Sequence, residues 1–379
     1  MPIAAAEYWK RFERVLEAER LEAFDLLLVY AQGCRGMYSN LLYLTGYYNF
    51  DPSLRGALLI RQDGTAHLLL DSEWDLDRAA RTSWIERRAM SCSPDLPAGL
   101  VSHCREQGLT SGRIGLAGDE YMPVAHYRRL EAGLPGVEFV PATGLIANER
   151  LLKSPAEIEA LRVAADITDK AILSGILALK EGISELATLA VCASTMLELH
   201  ADELAFVPEV SFGEMTEIGG APASSNTLKR GDMVMFDLGC VFDHYVVDLS
   251  CTCVYGKPSV EQQTIFDLVV RAQEAAIRAV HPGATAAEVD SAARDPIARA
   301  GYGEYFNHGL GHGQGLDHHE PPFIAGDDLT PLRPGMVFSV EPGVYLPGVG
   351  GVRIEDTVLV TEAGCEVLSA SNQHAPEIQ

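Results

Sequence analysis

The chain has 379 residues, 47% hydrophobic and 22% charged, enough for two globular units and unlike the composition of a disordered chain. Asp plus Glu outnumber Lys plus Arg by 53 to 29, a formal net charge of −24. Such a surface repels phosphate backbones and anionic headgroups, and no apolar run approaches the roughly 20 residues that cross a bilayer, so neither nucleic acid nor membrane is an expected partner.

Met1 to Arg20 reads as a charged helix without the apolar core or cleavage signature of a leader. The eight cysteines (34, 92, 104, 192, 240, 251, 253, 365) contain no Cys-x-x-Cys pair, so they read as free thiols in a reducing, cytoplasmic setting. Cys251 and Cys253 share one face if they lie on a strand, as small core residues do. Asp25–Tyr30 is a short apolar run. Gly56–Ile60 and Ala66–Leu70 flank Gln62-Asp63-Gly64, a hairpin signal. Apolar segments at Arg113–Leu116 and Val137–Val140, with helical stretches around 73–82 and 122–132, complete an α/β domain over residues 1–150.

Lys153-Ser154-Pro155-Ala156-Glu157 opens the next unit. Ser154 caps, Pro155 suits the first helical turn and Glu157 completes a capping box, so a long helix starts here. Ser259-x-x-Gln262 and Thr285-x-x-Glu288 announce two further helices, and strand pairs lie between and after them. Residues 151–379 therefore read as an α+β domain.

This half carries an internal echo. Leu228-Lys229-Arg230-Gly231, five residues, then Asp237-Leu238-Gly239 aligns without gaps on Leu332-Arg333-Pro334-Gly335, five residues, then Glu341-Pro342-Gly343. Each copy is a tight turn feeding an apolar strand that ends in an acid, and each has a second acid across a hairpin: Asp248 after Asp237, Glu355 after Glu341. A carboxylate in a strand is costly to bury unless it is paired or holds a metal. Four at matched positions point to a divalent cation site.

Four of the chain's eleven histidines fall between 308 and 319, in Asn307-His308-Gly309-Leu310-Gly311-His312-Gly313-Gln314-Gly315-Leu316-Asp317-His318-His319-Glu320. Packing does not account for such density among glycines, which let backbone approach a cramped site closely. No strand-turn-helix unit surrounds the run, so it is not a dinucleotide fingerprint. Four carboxylates with one imidazole form a hard donor set that suits manganese or cobalt better than a thiolate-built zinc site. Five ligands exceed the needs of one ion, so a pair about 3.5–4 Å apart is expected, a centre suited to amide hydrolysis.

Asp237, Asp248, His312, Glu341 and Glu355 resemble, in order and spacing, the five ligands of the pita-bread metallopeptidases, the family of methionine aminopeptidase, Xaa-Pro aminopeptidase and Xaa-Pro dipeptidase (prolidase). His-Gly-x-Gly-His at 308–312, His-Glu-Pro-Pro at 319–322, Pro-Gly-Met-Val at 334–337, Glu-Pro-Gly-Val-Tyr at 341–345 and Gly-Val-Arg-Ile-Glu-Asp at 351–356 agree with it. Leu42-Tyr43-Leu44-Thr45-Gly46 resembles a segment of the creatinase-type amino-terminal domain, which points to the proline-specific branches. The resemblance implies a creatinase-like α/β domain before a pita-bread catalytic domain, and two divalent ions, Mn2+ foremost with Co2+ or Zn2+ as alternatives. It further implies that Glu341 accepts a proton from the bridging hydroxide's parent water. His319 would stabilise the developing oxyanion, His308 would line the pocket beyond the scissile bond, and Tyr345 and Arg353 would border the site. The implied protein is a homodimeric Xaa-Pro dipeptidase acting on Xaa-Pro dipeptides or short peptides. The alternatives are an Xaa-Pro aminopeptidase that takes longer peptides and a non-peptidase amidohydrolase of the same fold.

Three departures stand out. Many relatives carry a histidine about 17 residues before the first acid, where this chain has Glu217-Ile218-Gly219-Gly220-Ala221-Pro222. Ser250-Cys251-Thr252 stands where relatives have Thr-Arg-Thr. Dipeptidases often place an arginine between the residues matching His319 and Glu341, and Arg333, inside a turn, is the one arginine there.

Overall fold

A computed structural model describes residues 3–17 and 23–369 and the backbone of 377–378. The chain divides into two units, Met1–Arg150 and Leu151–Gln379.

In the first unit six strands form one mixed sheet, in the spatial order Met90–Cys92, Ala66–Leu70, Arg55–Arg61, Leu26–Gln32, Ser111–Ala117, Gly136–Pro141. The hairpin forms as its turn residues dictate. Ile60 pairs with Ala66, Gly64 takes a φ of +82°, and Asp63 accepts the Thr65 N–H at 2.9 Å. Leu26 to Ala31 are all buried, the continuous apolar run of a strand covered on both faces. The helical stretches refine to Asp75–Thr82 and Val124–Gly133. The first helix is Ala5–Glu17; residues 1–2 and 18–20 of the expected helix lie outside the described residues. Ser39–Thr45, Leu96–Glu106 and Thr143–Arg150 are helices without a sequence expectation. Ser39–Thr45 and Thr143–Arg150 are short and lack a capping box, so tertiary packing rather than local propensity makes them helical, whereas Leu96–Glu106 starts on a local signal, Asp95 accepting the Ala98 N–H at 3.3 Å with Pro97 in the first turn. The Leu42–Gly46 segment closes the first of these. Gly46 adopts φ +79°, and a Cβ there would lie 2.9 Å from the Tyr8 ring.

The second unit is built twice over from one plan. A helix pair, Pro155–Ala178 and Glu185–Glu198, precedes the antiparallel strands Met233–Leu238 and Leu249–Tyr255. A second pair, Val260–Ala279 and Ala286–Arg299, precedes the antiparallel strands Val337–Val340 and Asp356–Thr361. The capping boxes at Ser154, Ser259 and Thr285 are all formed. The two echoed turns match in detail. Gly231 and Gly335 have φ of +94° and +92°, values that only glycine adopts without strain. Their N–H groups donate to Tyr255 and Val360 near the far ends of the partner strands, at 2.7 and 2.9 Å. Leu228 and Leu332 likewise exchange backbone bonds with the segments that open the second helix of each pair.

The strand ends place the acids slightly differently from expectation. Asp237 lies inside its strand and Glu341 just beyond Val340, while Asp248 and Glu355 each directly precede a strand. A small hairpin fills each interval, Cys240–Phe242 with Tyr245–Val246 in one and Gly343–Leu346 with Gly350–Arg353 in the other. Apolar side chains of the helices and strands, among them Val269, Val289, Ile297, Phe338, Val340 and Val358, are fully buried beneath. Each such side chain contributes roughly 1.5–3 kcal/mol, so the strand ends are held by a packed core.

Cys253 is buried and Cys251 half-buried on the strand Leu249–Tyr255, and all eight cysteines are free. Among the described residues, no helix is long and apolar enough to cross a membrane.

Candidate metal centre

The two copies meet along Ser250–Thr252 and Arg353–Glu355. Glu355 N–H donates to the Ser250 carbonyl at 3.0 Å, and Arg353 N–H to Thr252 Oγ1 at 3.1 Å. This contact brings the acids of both hairpins together. Donor atoms of Asp248, His312 and Glu355, all buried, lie within 4.8 Å of one another. Glu341 Oε1 is 3.3 Å from His312 Nε2, and Asp248 Oδ2 is 3.8 Å from it.

His312 reaches this point because its strand, Gly311–Gly313, runs tight against Val337–Val340. Gly313 pairs with Phe338, and a Cβ on Gly311 would lie 2.0 Å from the Ser339 carbonyl oxygen. Ser339 then links the two candidate ligands. Its Oγ accepts the His312 N–H at 3.0 Å and donates to Glu341 Oε1 at 3.0 Å.

The remaining acids share a pattern. Asp237 Oδ2 accepts from Arg353, Asp248 Oδ2 accepts from His318 Nε2 at 2.7 Å, and Glu355 Oε2 accepts from Ser250 Oγ at 2.8 Å. The other oxygen of each (Asp237 Oδ1, Asp248 Oδ1, Glu355 Oε1) is buried and has no hydrogen-bond partner among the described residues. A buried carboxylate oxygen without a donor costs several kcal/mol; those of Asp248 and Glu355, grouped with His312, fit a bound cation, and Asp237, outside that group of donor atoms, acts electrostatically on both acids. His312 fits it too. Its Nδ1 lies 3.2 Å from the Gly313 carbonyl, which makes Nδ1 the protonated nitrogen and turns the Nε2 lone pair toward the two carboxylates. A lone pair facing anionic oxygens is repulsive unless a cation lies between.

The electrostatics agree. Burial first, then Asp237, Glu355 and Glu341, pushes the Asp248 carboxyl well above its ordinary range. Burial, Glu341 and Asp237 do the same to Glu355. Burial lifts Glu341 to about 7 against the pull of Arg353. For His312, burial and then the neighbouring imidazoles of His319 and His318 lower the pKa to about 3, so the ring is neutral. Metal ions are the usual remedy for so many like charges in one buried place.

Arg353 organises the other side. Its guanidinium donates to Asp237, to Ser250 Oγ at 2.9 Å and to Tyr345 Oη at 2.8 Å, and touches Glu209 at 3.5 Å. Burial opposes its charge, but Asp237, Tyr345 and Glu341 hold it firmly cationic. Tyr345 Oη in turn bonds His308 Nε2 at 3.0 Å, while His308 Nδ1 lies 2.7 Å from the Gly309 carbonyl. Burial lowers His308 to about 4, and the neutral ring accepts from the tyrosine. His319 is the exposed member. Its ring centre is 3.9 Å from that of His312 and 4.1 Å from that of His318.

The sequence motifs alone assign no role to His318, Ser339, Ser250 or Glu209. His318 sits between Asp248 and a stacked Phe206 ring 4.3 Å away. His312, His318 and His319 also form a second group with donor atoms mutually within 4.8 Å. Because His318 donates to Asp248, the carboxylate-containing group is the stronger cation site. The His318-His319 doublet is visible in sequence; the serines and Glu209 give no local signal, because contacts between distant strands bring them here.

Residues 159–362 match metallopeptidase family M24, and residues 10–152 match the creatinase/prolidase N-terminal domain. The chain is 41% identical over 236 residues to an Xaa-Pro dipeptidase of Pyrococcus horikoshii, covering 62% of this chain and 67% of that protein. The crystal structure of the prolidase from Pyrococcus horikoshii superposes with a TM-score of 0.86 at 32% identity, covering 96% of this chain and 99% of that one. An X-Pro aminopeptidase from Thermotoga maritima superposes with a TM-score of 0.87 at 28% identity, over 97% and 99% of the two chains.

Proposed function

Since the chain belongs to metallopeptidase family M24, preceded by a creatinase/prolidase N-terminal domain, we propose that it is a metal-dependent Xaa-Pro dipeptidase that hydrolyses the amide before a carboxy-terminal proline. The observation that carries the reading is the buried Asp248–His312–Glu355 group, with its unpartnered carboxylate oxygens. The likeness to an Xaa-Pro dipeptidase supports the substrate class.

In this reading Asp237, Asp248, His312, Glu341 and Glu355 hold two divalent ions, manganese foremost. When bound, the ions supply Lewis acidity toward the scissile carbonyl and make water acidic enough to attack near neutral pH. Glu341 accepts the proton. Ser339 fixes its Oε1, and among the described residues Oε2 has no protein donor. His319, exposed beside His312, donates to the oxygen of the tetrahedral intermediate. His308 lines the pocket beyond the scissile bond, and Tyr345 keeps its ring oriented. Arg353 anchors Asp237 and Tyr345 together, so it braces the site. A proline amide has no N–H and a fixed φ, so a dedicated pocket is physically reasonable. The protein acts as a homodimer in the cytoplasm, a setting that accords with its eight free cysteines.

The test is release of the amino-terminal residue from a panel of Xaa-Pro dipeptides and Xaa-Pro-Yaa tripeptides, after loading with Mn2+, Co2+ or Zn2+ and elemental analysis. Dipeptides should be cleaved faster, and best with Mn2+. Faster cleavage of the tripeptides would move the assignment to Xaa-Pro aminopeptidase, the reading that the Thermotoga maritima likeness favours. A metal-loaded protein that cleaves none of them is not a proline-specific peptidase.

A further inference from the structure

Glu209 is a carboxylate that the proposed chemistry does not use. It opens the strand Glu209–Phe212, which runs beside Met233–Leu238 with Glu209 opposite Asp237. Opposed residues of an antiparallel pair project to the same face, so the two carboxylates share a side of the sheet. The strand order runs Leu249–Tyr255, Met233–Leu238, Glu209–Phe212. Asp248 directly precedes the first of these, Asp237 lies in the second and Glu209 in the third. Glu209 is therefore one strand further out than Asp237, about 5 Å by ordinary strand spacing.

Its two oxygens differ. Oε2 lies 3.5 Å from Arg353 Nη2, a guanidinium already committed to Asp237, Ser250 and Tyr345. Oε1 faces Gly220: it is 3.8 Å from a Cβ built there, and among the described residues beyond Gly219–Ala221 no other heavy atom lies within 4 Å of that point. Gly220 has φ +142°, a conformation that keeps side chains out. On the other flank the Tyr345 ring packs against Gly219. The result is an open notch with a carboxylate oxygen on its wall, beside the candidate ligands and reachable from solvent, since the Glu209 side chain is 19% exposed.

We propose that Glu209 is a specificity-determining residue whose Oε1 receives the cationic side chain of a lysine or arginine preceding the proline. This rests on the dipeptidase reading and deepens it. The substrate's α-amino group is attached next to the scissile carbonyl and must stay near the five donors. A carboxylate one strand further out is matched instead by a charge on a long flexible stem. The half-buried oxygen gains the charge-assisted bond that Arg353 does not supply.

The test compares lysyl-proline with norleucyl-proline, which differ by the charged group on similar stems, in manganese-loaded wild type and Glu209→Gln. Wild type should prefer lysyl-proline, and the variant should lose about tenfold more kcat/KM on lysyl-proline than on norleucyl-proline, the scale of one charge-assisted hydrogen bond. In wild type, KM for lysyl-proline should also rise more steeply with NaCl than KM for norleucyl-proline. Equal losses on both substrates would overturn the side-chain assignment in favour of the α-amino group. Loss of bound manganese in the variant would overturn it in favour of a sixth ligand. Wild type that cleaves both substrates without preference removes the role of Glu209 alone, whereas wild type that cleaves neither removes the dipeptidase reading and this inference with it.

Discussion

Ser250 holds Glu355 twice, accepting its N–H at 3.0 Å through the carbonyl and donating to Oε2 at 2.8 Å through Oγ. The same Oγ accepts from Arg353 Nε at 2.9 Å, so one buried hydroxyl orients a candidate ligand and the arginine that braces another. Ser250→Ala removes a donor that leaves only the other oxygen of Glu355 open to a cation. Such supporting bonds are worth about 10–100-fold in metal affinity. Competition against a chromogenic chelator should therefore show manganese binding weakened by about that factor; affinity within twofold of wild type would mean that the serine does not orient the ligand.

His319 tests the division of labour among the histidines. It is exposed and makes ring contacts with His312 and His318, whereas His312 is buried against Asp248 and Glu341. His319→Ala should keep its metal content and lose about 100-fold in kcat, the magnitude of one oxyanion donor. Metal loss in this variant would make His319 a ligand. His312→Ala should lose metal outright.

These relationships were unequally legible in the sequence. The capping boxes, the Gln62-Asp63-Gly64 turn and the echoed Gly231 and Gly335 turns are local, because each depends on a few neighbouring residues whose backbone preferences are written in their types. The acids stood out because charge inside an apolar strand needs an explanation. What brings Glu209 opposite Asp237 is strand pairing across 28 positions, and what brings Ser250 under Glu355 is a backbone contact between separate sheets across 105 positions, and nothing local encodes either. The short helix Ser39–Thr45 was missed for a related reason, since its six buried residues owe their conformation to what packs on them.

Lys153 and Glu320 form an ion pair at 2.8 Å with side chains 1% and 6% exposed. The acid also accepts the Asp317 N–H at 3.3 Å and packs against Gly315, so the pair pins the segment that carries His318 and His319. Removing one partner strands the other charge, which costs about 3–5 kcal/mol, while an apolar or neutral replacement of both is far milder. Lys153→Met should lower the guanidinium midpoint and the kcat together, and Lys153→Met with Glu320→Gln should recover most of the midpoint. A double variant as unstable as the single one would show that packing, not charge, is responsible.

The first unit should be acid-sensitive through His67. Its Nε2 bonds Ser91 Oγ at 2.7 Å and its ring stacks on His103 with centres 4.2 Å apart. Burial, then the charge of His103, lowers its pKa from 6.5 to about 4. Between those values the unfolded chain holds a proton that the folded ring refuses, so stability rises with pH there. The contribution is complete above pH 6.5 and is lost as the pH falls toward 4. Partial exposure of the ring discounts it to on the order of 1–2 kcal/mol. Urea midpoints of the metal-free protein at pH 7.5 and 5.0 should therefore differ less in His67→Gln than in wild type. An equal difference in the two proteins would mean that His67 titrates normally in the fold.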